Sequence, residues 1–345
     1  MKWFLSLVPF VFTAITSAAV TIITLNLYKS LNWLDRSTKQ DHPKNNHEKP
    51  VPRGGGIPIY ISLLVVVLLF KMWNSAMAMV FLGGLVLLVL GILDDLFDLN
   101  PYLRLGLGIM AAAVVVIGGG ITIQYVSNPL GKGVVELGNW LGGILTILWI
   151  LWSMNFVNMG AKGLDGQLPG VVVVAAITMG ILGFRFVEDK QTWLSIFLAF
   201  GLAGAYFGFL GFNFYPQKIM PGWGGGSLAG YFLSILAVLS GTKLATALIV
   251  LGIPLADVSY AILRRLKEGR SPVWGDDKHL HHYLLKLGWS KRRIAITYWL
   301  ITAGLGWIAL HLKSEAKFYA IMLVGVSVGG ILLWMNYFIS SNRPE

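Results

Sequence analysis

Cysteine is absent from the 345-residue chain, which excludes a disulfide framework and any metal site built on thiolates. Charge is scarce as well. Asp, Glu, Lys and Arg together supply 12% of the residues against 56% hydrophobic ones, and the mean hydropathy is +0.69. A soluble domain of this length does not sustain that balance, so the chain takes lipid as its solvent. Acidic residues are the rarer sign, 16 against 27 Lys and Arg, for a net charge of +11. Membrane topology and anionic lipid headgroups account for that excess, and nucleic acid is not needed as a partner. The apolar runs also lack the in-out alternation of a membrane barrel, which leaves helices as the spanning element.

What is present is a series of apolar runs near the roughly 20 residues that cross hydrocarbon. They fall at 4–28, 57–74, 77–93, 104–126, 138–156, 168–186, 192–212, 227–242, 244–263, 294–312 and 317–340. The fold class expected is all-α: a polytopic membrane protein of about eleven transmembrane helices, forming one integral membrane domain over 1–345. Lys2 and the small residues Ser17, Ala18 and Ala19 imitate a signal peptide, but the first run stays apolar to Leu27, too long for a cleaved segment. With the spans alternating, 19 of the 27 Lys and Arg fall in one set of loops. The positive-inside rule then puts the N-terminus outside, the C-terminus in the cytoplasm, and loops 29–56, 94–103, 157–167, 213–226 and 264–293 on the cytoplasmic face.

The candidate chemistry gathers in those loops. Asp94, Asp95 and Asp98 end the third run in GILDDLFDLN. Carboxylates there oppose the helix dipole and are costly to desolvate. Spacings of three and four put Asp98 on the side of Asp95 and Asp94 if the helix continues. Such oxygen ligands suit Mg²⁺ or Mn²⁺ with a phosphate-bearing substrate; solvated residues that merely stop the helix are the competing reading. In SMNFVNMGAKGLDGQLPG, Asn155 and Asn158 lie one turn apart, and Asp165 sits in a glycine-rich break where backbone N–H groups can approach a ligand. A flexible turn is the plainer alternative. Asn213, Pro216, Lys218 and Gly224 to Gly226 repeat the combination, with Ser227 placed to cap the next helix. The loop RRLKEGRSPVWGDDKHLHHYLLKLGWSKRR offers cations including Arg270, the carboxylates Asp276 and Asp277, and imidazoles at His279, His281 and His282. His279 and His282, three apart, would share a helical face. Zinc is a rival use for them, although no HExxH pattern accompanies the cluster. Gly201, Gly204 and Gly208 can serve helix packing within the chain or in a homodimer. Few ionisable residues fall mid-span, Asp257 being the nearest exception, which disfavours a transporter.

In order along the chain, the strings Asp41 with Pro43, HEKPVPRGGGI at 47–57, GILDDLFD at 91–98, NFVNM with GLDG at 155–166, GFNFYP at 211–216, GSLAG at 226–230, PLAD at 254–257, and RRLKEGRSP with DDKHLHH at 264–282 resemble the bacterial polyprenyl-phosphate N-acetylhexosamine-1-phosphate transferases. That family includes phospho-MurNAc-pentapeptide translocase. The HLHH string with its upstream Arg pair resembles the GlcNAc-1-phosphate branch. The resemblance implies transfer of a sugar-1-phosphate from a UDP-sugar to undecaprenyl phosphate in the bacterial plasma membrane. UMP is released, Mg²⁺ assists, and the product initiates a cell-envelope glycan such as lipopolysaccharide or teichoic acid. It matches Asp94 and Asp95 to the family's paired carboxylates, one activating the lipid phosphate, and Asp165 to a nucleotide-proximal carboxylate. It matches Asn158 to a polar contact, His279, His281 and His282 to a histidine motif facing the diphosphate, and Lys49 and Arg53 to phosphate holders. Asn155, Lys162, Asn213 and Arg270 complete the expected substrate contacts, and Asp94, Asp95 and Asp98 the expected metal ligands.

The sequence departs from the family pattern twice. Gly224 stands where Gly-Asp-x-Gly-Ser carries its Asp, and Lys162 replaces the first carboxylate of Asp-Gly-x-Asp-Gly. Three consequences are open at this level: Asp98 or Asp277 supplies the missing ligand, Lys162 takes over part of the metal's charge role, or the chain binds lipid and nucleotide-sugar without turning them over, as an inactive partner in a glycan assembly complex.

Overall fold

The computed structural model describes residues 2–35, 50–128, 133–186, 190–239, 244–271 and 278–341. Asp41, Pro43, Lys49, Asp276 and Asp277 lie outside them. Thirteen α-helices are described: α1 (Lys2–Ser30), α2 (Gly56–Leu69), α3 (Ser75–Phe97), α4 (Pro101–Ala113), α5 (Gly138–Gly160), α6 (Gln167–Gly183), α7 (Lys190–Asn213), α8 (Gly222–Leu239), α9 (Leu244–Val250), α10 (Gly252–Lys267), α11 (Leu280–Lys286), α12 (Lys291–His311) and α13 (Ser314–Ser341). The protein is thus mostly helical, as lipid demands of a backbone that must satisfy its own hydrogen bonds.

Each of the eleven apolar runs falls on a helix or helix pair, but not all as a full straight crossing. Among the described residues eight helices are long and apolar enough to cross a membrane. The helices α2, with 14 residues, and α6, with 17, are shorter, and the ninth run is broken, α9 and α10 meeting at 78°. The fourth run is shorter than its hydropathy suggests. After α4 a π-helical turn, Val114–Gly118, ends the span, and the chain passes into β1 (Tyr125–Ser127). That strand pairs antiparallel with β2 (Val134–Glu136) in the register Tyr125 to Glu136 and Ser127 to Val134. This hairpin is the exception to an all-α fold. Val and Ile serve a strand as readily as a span, so apolarity alone did not mark the change.

Helix α8 is the axis of the bundle. All 18 of its residues are buried, packed against α2, α3, α5, α6, α7 and α9. Apolar side chains on every side allow this, and buried hydroxyls around it end on backbone carbonyls: Tyr206 on Gly225 at 2.6 Å and Tyr231 on Val80 at 2.7 Å. Close approach is set by Gly91 of α3, where a Cβ would press into the Gly224 backbone. Ser227 lies inside α8 rather than capping it, because the helix starts at Gly222, and its hydroxyl has no partner. The stripe Gly201, Gly204 and Gly208 faces α1: Thr13 donates to the Gly201 carbonyl at 2.9 Å, and side chains on the other two glycines would strike the backbone of Phe10 and Ala14. The stripe is therefore used within the chain and is not free for a homodimer.

Candidate active site

The polar residues singled out above gather where the C-terminal end of α3, the α5–α6 turn, the α7–α8 segment and α11 come together. Asp94 and Asp95, adjacent on a helix, point about 100° apart and meet different surroundings. Asp94 is buried and fully engaged: Arg104 reaches both its oxygens at 3.0 Å, and the Leu99 N–H donates to it at 3.1 Å. It ties α4 back to α3. Asp95 is half-buried and accepts the backbone N–H of Trp223, the second residue of α8, at 3.0 and 3.2 Å, a carboxylate at a helix N-terminus where the dipole favours it. It lines a small, partly open cleft together with Tyr28, Arg53, Ile57, Leu88 and Gly224. Arg53 itself pairs with Asp35, which is fixed by two backbone hydrogen bonds to Val51.

Lys162 comes to the same place from the α5–α6 turn and donates to the Gly222 carbonyl at 3.3 Å. Gly222 has φ +66 and no room for a side chain, because one would meet the Asp95 carboxylate. Burial pushes the Lys162 ammonium down from 10.5 to about 8, against the upward pull of Asp95 and with a further downward push from Arg53. Asn158, one turn earlier, is buried against Gly226 with its carbonyl oxygen unpartnered, the kind of group that a ligand satisfies.

A second cluster lies on the other side of the α5–α6 turn. Asp257 of α10, wholly buried, accepts from His279 Nδ1 at 2.9 Å and from the Leu280 N–H at 2.9 Å. His279 is the residue before α11 and has extended backbone, so the helix-face spacing to His282 does not apply; its ring instead lies parallel to that of His281, 5.7 Å away and within 4°. His281 stands 4.3 Å from His282, and its Nδ1 is buried without a partner. Burial and the two neighbouring imidazoles hold His281 well below 6.5. Gly163 permits this placement, since a Cβ there would run into His281 Nε2. The glycine-rich turn therefore carries Lys162 toward Asp95 and receives His281 on the next residue.

The remaining expected site residues divide. Asp165, buried, accepts the Gln217 N–H at 3.3 Å and lies 3.7 Å from Lys291. Asn213 spends its side chain inside the protein, accepting from the Gly166 N–H at 3.0 Å and donating to Gln217 at 3.1 Å and the Ile219 carbonyl at 2.8 Å, so it is a strut and not a substrate contact. Asn155 likewise turns back to the Leu151 carbonyl at 2.8 Å. Arg270 is exposed and pairs with Glu268 at 3.5 Å, the carboxylate that Lys278 reaches at 3.9 Å. Three contributors escaped the sequence reading of the site: Arg104, Lys291 and Asp257. Only the last had a signal, as a carboxylate in an apolar run.

The expected metal ligands do not fit a divalent ion. Helix α3 stops at Phe97, Asp98 turns into the left-handed region at φ 47 and is exposed, Asp94 belongs to Arg104, and Asp95 is left with an ammonium as its neighbour. Among the described residues no three His, Asp or Glu side chains are placed to hold a metal ion together.

A family model for glycosyl transferase family 4 matches residues 77–241. The chain is 31% identical over 298 residues to a probable undecaprenyl-phosphate N-acetylglucosaminyl 1-phosphate transferase of Bacillus subtilis, covering 84% of this chain and 81% of that one. It is 28% identical over 352 residues to the decaprenyl-phosphate N-acetylglucosaminephosphotransferase of Mycobacterium leprae, with 92% and 87% covered. It is 28% identical over 339 residues to the undecaprenyl-phosphate alpha-N-acetylglucosaminyl 1-phosphate transferase of Haemophilus influenzae, with 96% and 92% covered. With similarity running through so much of both chains, and through the helices that build both clusters, this multi-pass membrane protein belongs to glycosyl transferase family 4, among the polyprenyl-phosphate N-acetylglucosamine-1-phosphate transferases.

Proposed function

We propose that the protein transfers GlcNAc-1-phosphate from UDP-GlcNAc to undecaprenyl phosphate, giving a lipid-linked diphosphate sugar and UMP, as the first step of a cell-envelope glycan. The observation that carries this reading is the cleft at the end of α3. One wall is apolar, with Ile57, Leu88 and Ile92, and the other presents Arg53 and Asp95 with Lys162 behind them. An amphiphile ending in phosphate matches both walls, and the relatives are named for that acceptor class. We place this end of the bundle at the cytoplasmic face of the bacterial plasma membrane, with eleven crossings if the two short helices and the bent pair each count as one. The N-terminus is then outside and the C-terminus inside, with loops 94–103, 157–167 and 213–226 and the described parts of 29–56 and 264–293 on the cytoplasmic side. Anionic lipids attract its basic rim.

In this reaction an oxygen of the lipid phosphate attacks the β-phosphorus of UDP-GlcNAc. The bond from that phosphorus to the bridging oxygen breaks, and its electron pair leaves on UMP. The chemistry requires in-line positioning and neutralised charge. Asp95 is the carboxylate open to the cleft and serves as acceptor for a proton on the lipid phosphate. Arg53 and Lys162 neutralise phosphate oxygens. His279, aligned by Asp257, and its neighbour His281 serve the diphosphate from the far side of the α5–α6 turn. Purified protein in nanodiscs, given undecaprenyl phosphate and UDP-GlcNAc, should release UMP in step with lipid-linked sugar. Absence of product with GlcNAc and other UDP-sugars alike, while nucleotide-sugar still binds, would instead identify a binding protein that does not turn over. Labelling of a cysteine introduced at 270 from outside intact cells would overturn the orientation.

A further inference from the structure

We infer that the Lys162 ammonium is a resident cation that replaces a divalent metal at the diphosphate, so that this chain binds its nucleotide-sugar and transfers the sugar-1-phosphate without metal; the inference deepens the transferase reading above and rests on it.

Four observations converge on Lys162. Its position is the first: the ammonium donates to the Gly222 carbonyl at 3.3 Å, and Gly222 is also the residue against which the Asp95 carboxylate lies. Its stem runs along α8, with Cδ 3.2 Å from the place a Cβ on Gly226 would take. The cation is thus held on the first turns of α8, beside the one carboxylate that faces the cleft.

The second observation is that, among the described residues, the other carboxylates around the site are committed. Arg104 and the Leu99 N–H hold Asp94, Lys291 and the Gln217 N–H hold Asp165, and His279 and the Leu280 N–H hold Asp257. Mg²⁺ at a phosphate site is held by one or two carboxylates beside the substrate's own oxygens, and Asp95, the carboxylate left over among the described residues, has an ammonium against it instead.

The third concerns room. Gly224 lines the same cleft as Asp95, and a Cβ there would meet nothing nearer than Gly91 Cα at 3.4 Å, an ordinary van der Waals contact. A side chain is therefore admissible at its root. Position 224 lacks a carboxylate without packing having required it, and the cation opposite fits that lack: a second anion would call for a metal, whereas an ammonium needs only one.

Charge is the fourth. Asp95 faces Lys162 and the Arg53 that also pairs with Asp35, so its charge is offset by fixed side chains before any ion arrives. A divalent cation entering there would meet both of these cations. An ammonium also carries three N–H donors, which preorganised charge stabilisation uses directly. Lys162 contributes charge and donors and forms no bond to phosphorus.

The test uses the full chain in nanodiscs with three readouts in parallel. Wild-type UMP release and UDP-GlcNAc binding by calorimetry should stay within about twofold when EDTA replaces Mg²⁺. Lys162→Met should lower binding by about tenfold or more, the scale of a lost charged hydrogen bond, and UMP release by about a hundredfold, and Lys162→Arg should recover a substantial part of both. Mn²⁺ alone, followed by its paramagnetic resonance, should remain free with wild type and be taken up by the double variant K162D/G224D. If EDTA abolishes wild-type turnover or binding and Mg²⁺ restores it, the inference is overturned and the transferase reading stands. If no turnover occurs in any condition, the transferase reading fails, and the inference is judged on binding: EDTA-resistant and Lys162-dependent binding supports it, EDTA-sensitive binding overturns it. Should a variant fail to fold, ordered Mn²⁺ on wild type overturns the inference and free Mn²⁺ supports it.

Discussion

The two clusters flanking the α5–α6 turn both set a carboxylate against a cation, but with different partners. At the α3 end Asp94 meets a guanidinium and Asp95 an ammonium; at the α11 end Asp257 meets an imidazole. Arginine never releases its proton in a protein, and the Lys162 ammonium does so only at about 8, so the cations of the first cluster hold charge in place around Asp95, its proton acceptor. Imidazole changes charge near neutrality, and the second cluster can move a proton. The glycine-rich turn between them separates the two capacities by one residue, Lys162 from Gly163. Phosphoryl transfer needs neutralised charge above all, so the first cluster should carry the larger share of the rate.

That ranking can be broken directly. Asp95→Asn should lower kcat for UMP release by about a thousandfold, mid-range for loss of a positioned base, with little change in KM for UDP-GlcNAc. The Asn oxygen can still accept the Trp223 N–H, so the melting temperature should hold; a collapse in melting temperature would reassign Asp95 to structure. Asp257→Asn is the matching change on the other side. Asparagine keeps one acceptor for His279 Nδ1 but removes the carboxylate charge behind the ring, and kcat should fall by about a hundredfold. A larger loss there than for Asp95→Asn would reverse the ranking. Gly163→Ala joins the two regions, because the new methyl must displace the His281 ring. Overpacking of this kind costs about 1–3 kcal/mol, and we expect a lowered melting temperature and about a tenfold loss of kcat, with chelator-insensitive UDP-GlcNAc binding retained.

Most of the helical frame was legible in the sequence because lipid imposes it: eleven apolar runs gave a helix or a helix pair each. Hydropathy carries no direction, so the 78° bend between α9 and α10 was invisible, and it carries no conformation, so the passage into β1 was read as span. Within the site, residue types were easier to read than roles. Asp94 and Asp95 look alike in the string, and only the turn of the helix gives one to Arg104 and the other to the cleft. Asn213 reads as a ligand because it is polar and lies among glycines, yet its three hydrogen bonds are internal. The His pair at 279 and 282 was placed on a shared face by a spacing rule that requires a helix, whereas α11 begins only at Leu280.

The smallest effect concerns how His281 is held. Its burial, with His279 and His282 beside it, keeps its proton affinity well below the ordinary 6.5 of the unfolded chain. Between those two values the unfolded state binds a proton that the native state refuses, so stability rises with pH through the window and declines as pH falls below about 6.5. One proton limits the slope to about 1.4 kcal/mol per pH unit. Denaturation of the detergent-solubilised protein at pH 7.5, 6.5 and 5.5 should show the decline, and His281→Gln, which cannot take up the proton, should flatten it. The charge-holding side gives the contrast: Arg104→Lys exchanges one cation for another beside Asp94 and should leave the slope unchanged. A slope that survives His281→Gln would place the titrating group elsewhere and remove the proton-handling side of the comparison.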